Sequence, residues 1–376
     1  MTDVLAEFVA DLPLFDHHCH GVVRDLPDRA AFELLATESD WAAPAGTTVF
    51  DSPFGVTVRA ECAPLLDLPR HCTADDYLRR RFELGVAEVN ERLLPRTGIS
   101  VYGIDTGFRT DTILTPPEMA ALGRASAVTI VRLEQVAEEV FEAGTTAAGF
   151  AADFASALDE ASRHAVGYKS IVAYRYGLDF DPVRPGPVEV RDAAAEVLRD
   201  QQLRVAHPVL LRHLLWSAVD RRLPLQFHVG YGDSDINLHR CDPSQMTEFI
   251  RLTRESGAQI MLLHCYPFQR EAAYLAQVFP HVYLDTGAAV NYTGAGARDV
   301  VRESLELAPF HKVLFSTDAF GLPELYYCGT LLWRRAVTDL FGHWVDSDLM
   351  GLADARRYLT MLASGNAERV YPDVRP

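Results

Sequence analysis

Leu12-Pro13-Leu14-Phe15-Asp16-His17-His18-Cys19-His20 begins as a short apolar run and ends in three histidines around one cysteine. A strand buried on both faces reads as a near-continuous apolar run, and polar side chains at its end mark the place where it meets a site. The same form returns along the chain. Residues 12–16, 99–105, 128–133, 166–174, 223–227, 259–263, 282–285 and 313–316 are short and mostly apolar. Amphipathic stretches lie between them, among them 133–141, 246–254 and 270–278. This alternation predicts a parallel α/β fold, and eight units predict a closed (β/α)8 TIM barrel.

The chain has 376 residues, more than the ~250 of a plain barrel, and the excess is uneven. Most of it falls between the first two strands, where a Gly/Pro-punctuated loop at 48–58 precedes a helical run at 73–94. Insertions in barrels follow strand C-termini. The expectation is therefore a distorted barrel forming one domain over residues 1–376. Its helical insertion, residues 21–98, covers the mouth as a lid. A proline-rich stretch at 179–187 is too short to link domains. After Asp318 the pattern runs mostly helical to Tyr371.

With 48% hydrophobic and 23% charged residues, the chain can bury a large core, which excludes wholesale disorder. No apolar run approaches the ~18 residues of a membrane span, and the charge-dotted N-terminus lacks a signal-peptide core. A cytoplasmic protein is expected. A net charge of −17 argues against nucleic acid and anionic membrane as partners. A small-molecule substrate remains the expected partner, with homo-oligomers left open. The six cysteines lack paired spacing and read as free thiols. Of 35 basic residues only Lys169 and Lys312 are lysines. Where arginine supplies charge so freely, a retained lysine draws attention to chemistry that a guanidinium cannot perform.

The chemistry-bearing residues stand at strand ends. His18 and His20, at i and i+2, project to one side of an extended chain and suit Zn²⁺, Fe²⁺ or Mn²⁺. His228 follows strand five, His264 follows strand six and Asp318 follows strand eight. All would meet at the C-terminal mouth of a barrel. Weaker candidates are Glu134 at the end of strand three, as an extra ligand or a base, and Arg175 at the end of strand four, as a carboxylate clamp. Asp233 and Asp235 follow strand five, and Glu61 and Arg59 lie in the long insertion. His17 is expected beneath the metal site. Arg79-Arg80-Arg81 reads as a solvated helix face.

The ordered set resembles the amidohydrolase superfamily, with HxH on strand one, lysine or glutamate on strand four, histidines on strands five and six, and aspartate on strand eight. Within it the chain is similar to the amidohydrolase-2 group, near FluG-type amidohydrolase domains. The stretches that carry this are Gly167-Tyr168-Lys169-Ser170, Ala173-Tyr174-Arg175, Leu223–Gly230, and Leu262-Leu263-His264-Cys265-Tyr266-Pro267, with Gly365-Asn366-Ala367 and Tyr371 at the close. The resemblance implies one or two divalent transition-metal ions. If Lys169 carries a carboxylate group it bridges two ions, with His18, His20 and Asp318 on one and His228 and His264 on the other. If Lys169 is a plain structural lysine, His18, His20, His228 and Asp318 hold a single ion and His264 is free for proton transfer. The implied reaction is hydrolysis of an amide-like C–N bond, with Asp318 as proton carrier. The alternative is a non-haem di-iron monooxygenase on the same scaffold, hydroxylating a small-molecule or acyl-CoA-linked biosynthetic intermediate with O₂. Extra carboxylates from Glu61 or Glu134 would favour iron.

Overall fold

The computed structural model describes residues 2–109, 111–201 and 203–371. Seven strands pair in parallel in sequence order: β1 (Leu14–Cys19), β2 (Ile99–Asp105), β3 (Ser126–Arg132), β4 (Ala165–Ser170), β5 (Leu225–Val229), β6 (Ile260–His264) and β7 (Val282–Leu284). The eighth position, expected as a strand over 313–316, is occupied but lacks a full ladder. Val313 bridges Leu284, and Leu314 N–H donates to Leu284 O at 2.9 Å. On the other side His17 N–H donates to Phe315 O at 3.2 Å, and Asp318 N–H donates to His18 O at 3.1 Å. The ring is thereby closed, and the fold is a distorted (β/α)8 barrel. A side chain replaces part of the missing ladder: the fully buried Asp16 carboxyl accepts from the Thr317 N–H at 2.9 Å. Burial raises its pKa to about 8.

Pairing between β1 and β2 skips register from Asp16 to Cys19, which lays the His17 carbonyl on Gly103. A Cβ on Gly103 would stand 2.6 Å from that oxygen, so only glycine accommodates the bulge. β4 stops at Ser170, not Tyr174. Residues Val172–Arg175 turn into a short helix instead, because Glu134 captures the Ser170 hydroxyl at 2.7 Å and the Ile171 N–H at 3.1 Å.

Residues 48–58, expected as a loop, contain the 3₁₀ turn Val49–Asp51 and the helix Pro53–Thr57, capped by Thr48 and Ser52. The helix Ala74–Leu93 starts at Thr73, whose side chain accepts from Asp76 N–H, and is interrupted at Gly85, where φ is 77°. Its arginines diverge in fate. Arg79 and Arg80 pair at the surface with Asp76 and Asp67, but Arg81 is 1% exposed, contrary to the solvated face expected. Chain beyond Asp318 is helical over Pro323–Asp346, Leu352–Thr360 and Asn366–Val370, and the last described residue, Tyr371, is buried. Among the described residues no helix is long and apolar enough to cross a membrane, and all six cysteines are free and buried.

Candidate metal centre

Asp318 stands at the middle of a histidine cluster. Its Oδ1 lies 3.1 Å from His18 Nε2 and 3.7 Å from His20 Nε2, and its Oδ2 lies 3.3 Å from His264 Nδ1. The His228 and His264 rings are 4.6 Å apart, so the fifth residue of the expected set joins the same volume. Two of these residues leave their strands in the left-handed region, His264 at φ 68° and Asp318 at φ 50°. For non-glycine residues this costs about 1–2 kcal/mol each and turns both side chains toward the axis.

Local hydrogen bonds decide which nitrogen each imidazole presents. His20 Nδ1 donates to Asp105 O at 3.2 Å, leaving Nε2 bare. His228 Nε2 donates to Tyr231 O at 3.1 Å, leaving Nδ1 bare. The buried His264 makes no hydrogen bond through either nitrogen among the described residues: Nδ1 meets Asp318 Oδ2 only as a 3.3 Å charge contact, and Nε2 is bare. Unpaired buried nitrogens cost free energy unless something else engages them, and neutral imidazoles are the form that binds metal. Burial, reinforced by Lys169, lowers the His18 pKa to about 3. Burial likewise lowers His264 to about 4, and burial with His264 nearby holds His228 well below the ordinary imidazole value. Burial alone would raise Asp318, but His264, His18 and His20 outweigh it and keep the carboxylate ionised. The donor set, four imidazoles and a carboxylate, fits a borderline divalent ion.

Lys169 is 2% exposed, lines the same cavity and forms no ion pair among the described residues. Burial lowers its pKa to about 8. The cavity holds about 1,040 Å³ and includes His18, His20, His228, His264 and Asp318 in its wall. From the insertion, residues 23–40 contribute a mixed side, with Val23, Leu26, Leu34 and Leu35 beside Asp25, Glu38 and Asp40.

The weaker candidates separate. Asp233 and Arg175 line the cavity, Arg175 pairing with Glu138 at 2.9 Å from the short helix rather than a strand end. Asp235 also lines it and pairs with Arg204 at 2.6 Å. Glu61 is not at the centre: Arg70 and Arg335 hold it at 2.8 and 2.9 Å. Glu134 is outside the cavity wall too: its Oε1 accepts from Ser170 and Ile171, while its buried Oε2 has no hydrogen-bond partner among the described residues. Arg59 reaches back to Phe50 O at 3.4 Å. His17 lies beneath the cluster, bonded to Asp285 and Tyr371.

Two residues escaped the sequence reading. Asp105 forms a second compact group with His18 and His20. It also accepts from Arg132 at 2.6 Å, and its place at the end of β2 is the same signal that exposed the histidines. Glu38, from the insertion, lines the cavity, and nothing in its sequence neighbourhood distinguishes it from other loop carboxylates.

Known proteins agree with this architecture. Emericella nidulans FluG is 32% identical over 222 residues, covering 55% of this chain but only 25% of FluG, so the match spans about a quarter of that relative. The structure of a Lactobacillus casei ATCC 334 protein, assigned as a metal-dependent hydrolase, superposes with a TM-score of 0.87 at 30% identity, covering 98% of this chain and 97% of that one. Uronate isomerase of Thermotoga maritima superposes with a TM-score of 0.65 at 12% identity over 98% of this chain and 97% of its own, a likeness of fold. The sequence model described as amidohydrolase (Amidohydro_2) matches residues 124–372. That match and the full-length likeness to the Lactobacillus casei protein make this chain a member of the amidohydrolase family.

Proposed function

We propose that this protein is a metal-dependent hydrolase that cleaves an amide-like C–N bond in a small molecule, its metal held among His18, His20, His228, His264 and Asp318. One observation carries the reading. Gln226 Oε1 accepts from His18 Nδ1 at 2.8 Å, so the bare His18 Nε2 faces the ionised Asp318 at 3.1 Å. Two acceptors at that separation repel unless a cation lies between them. A divalent zinc, iron or manganese ion bound there supplies Lewis acidity toward a carbonyl and acidifies water.

The chain's own groups supply the rest. Asp318, facing the cavity, takes a proton from the attacking water and hands it to the departing nitrogen. Lys169 has two readings: a carbamate that bridges two ions, or a buried amine beside one ion, with His264 then free to move a proton. The cavity accommodates a drug-sized molecule, and Arg175 and Asp233 in its wall offer polar contacts to it. Free, buried cysteines suit a cytoplasmic setting. For the monooxygenase alternative, Glu61 is held by Arg70 and Arg335 and Glu134 reaches Ser170 and Ile171, which leaves Asp105, grouped with His18 and His20, as the extra carboxylate it would draw on.

The test is metal analysis of anaerobically purified protein followed by isotope labelling of turnover. Product oxygen from H₂¹⁸O, without dependence on O₂, supports hydrolysis. Label from ¹⁸O₂ with a reductant requirement, on a protein holding two irons, would replace it with oxygenation.

A further inference from the structure

We infer that Gln226, held by the hydroxyl of Tyr371, sets which nitrogen of His18 is free to bind a metal ion. The inference rests on the metal reading above and adds two positioning residues to it.

The proton arrangement follows from one fixed acceptor. Gln226 Nε2 lies 2.8 Å from the His17 backbone carbonyl, which can only accept, so the amide nitrogen must face it. The amide oxygen then faces His18 Nδ1 at 2.8 Å. That oxygen also only accepts, so His18 carries its proton on Nδ1 and leaves Nε2 bare. The second N–H of the amide reaches Tyr371 Oη at 2.8 Å. The Tyr371 proton is thereby directed to His17 Nδ1, also at 2.8 Å. His17 consequently carries its proton on Nε2 and donates to Asp285 Oδ2 at 2.9 Å. The other oxygen, Asp285 Oδ1, accepts from the His264 backbone N–H at 2.9 Å.

Each hydrogen bond in this run has one donor and one acceptor, and the run ties His18 to His264. Reversing the amide would set its oxygen against the His17 carbonyl oxygen, which cannot donate. Gln226 and Asp285 are 0% exposed, His17 and His18 1%, and Tyr371 2%, so bulk water does not compete for these bonds. Packing of the Tyr371 ring against Phe15, at 5.8 Å between centroids, accounts for the ring but not for the hydroxyl. Partners of this kind fix the orientation and tautomer of metal-binding histidines.

The test compares wild type with Gln226→Leu, Gln226→Glu and Tyr371→Phe. Long-range ¹H–¹⁵N spectra of histidine-labelled, metal-free protein read the tautomers, chelator competition reads Zn²⁺ affinity, and urea unfolding reads stability. Wild type should show His18 protonated on Nδ1. Gln226→Leu should lose that preference and about 10- to 100-fold in Zn²⁺ affinity. Gln226→Glu still accepts from His18 but turns an acceptor toward the His17 carbonyl. It should be less stable while binding Zn²⁺ at least as tightly as wild type. Tyr371→Phe keeps the ring, should shift the His17 tautomer, and should lose affinity in the same direction as Gln226→Leu by a smaller factor; it carries the test if Gln226→Leu does not fold. Zn²⁺ affinity that merely tracks stability across the three variants, or a wild-type His18 protonated on Nε2, would overturn the inference. A wild type that binds no Zn²⁺ yet shows the Nδ1–H form of His18 would instead overturn the metal reading and leave the tautomer assignment standing.

Discussion

Arg81 Nε lies 2.7 Å from Glu324 Oε1, and neither side chain is more than 2% exposed. The pair joins the insertion helix Ala74–Leu93 to the helix Pro323–Asp346, and Tyr77 donates to the same carboxylate at 3.0 Å. It is a fully buried polar tie between the insertion and the Pro323–Asp346 helix. Removing one partner strands a buried charge. Arg81→Met should therefore cost about 3–5 kcal/mol in urea unfolding, and Arg81→Met with Glu324→Leu should recover much of the loss. A single variant as stable as wild type would show that the pair does not anchor the insertion.

His18→Ala removes the imidazole at the crossing of the Asp318 and Gln226 contacts. Metal content and turnover should fall together, with far-UV circular dichroism unchanged and stability within about 1–3 kcal/mol of wild type. Full metal occupancy in this variant would place the ion elsewhere.

Lys169→Ala separates the two lysine readings. With a bridging carbamate the metal-to-protein ratio should drop from two to one, and a small carboxylic acid such as acetate should restore part of the activity by filling the vacancy. An unchanged ratio with no rescue identifies Lys169 as structural.

Glu38 gives a prediction on pH. Burial, with Asp318, Asp233 and Asp40 adding repulsion against a bond from Tyr292, raises its pKa from 4.5 to about 7; Tyr174 and Tyr231 also face it. The folded protein keeps a proton there that the unfolded chain gives up near pH 4.5, so this contribution to stability is full in acid and is lost as pH rises through about 7. Glu38→Gln cannot ionise. It should match wild type near pH 5 and melt higher near pH 8, by on the order of 2 °C. Equal melting temperatures at both pH values would place the Glu38 carboxyl in contact with solvent.

Much of the barrel was legible because strands buried on both faces must be apolar throughout, and the runs at 99–105 and 282–285 match β2 and β7 to within a residue. The candidate ligand set was legible for a related reason. A polar residue directly after such a run has nowhere to go but the mouth. Asp105 carries that same signal, but it ends strand two, where the amidohydrolase pattern assigns no ligand. The scarcity of lysine pointed equally at Lys169 and Lys312. One lines the cavity, whereas the other bonds to Pro280 O and stacks its ammonium 4.2 Å from the Tyr283 ring.

Sequence by itself determined the strand order, the parallel pairing and the identity of the histidines and aspartate at the mouth, because these follow from local hydrophobic pattern. Tertiary structure alone decided where β4 ends, which charges are paired and which nitrogen each histidine presents. Glu134 ends β4 by reaching Ser170 from a different βα unit, Glu61 is withdrawn by Arg335 from 274 residues away, and the proton on His18 is set by Gln226 and Tyr371. Hydrogen bonds and ion pairs of this kind form between residues remote in the chain. They depend on distances that exist only after the barrel has closed.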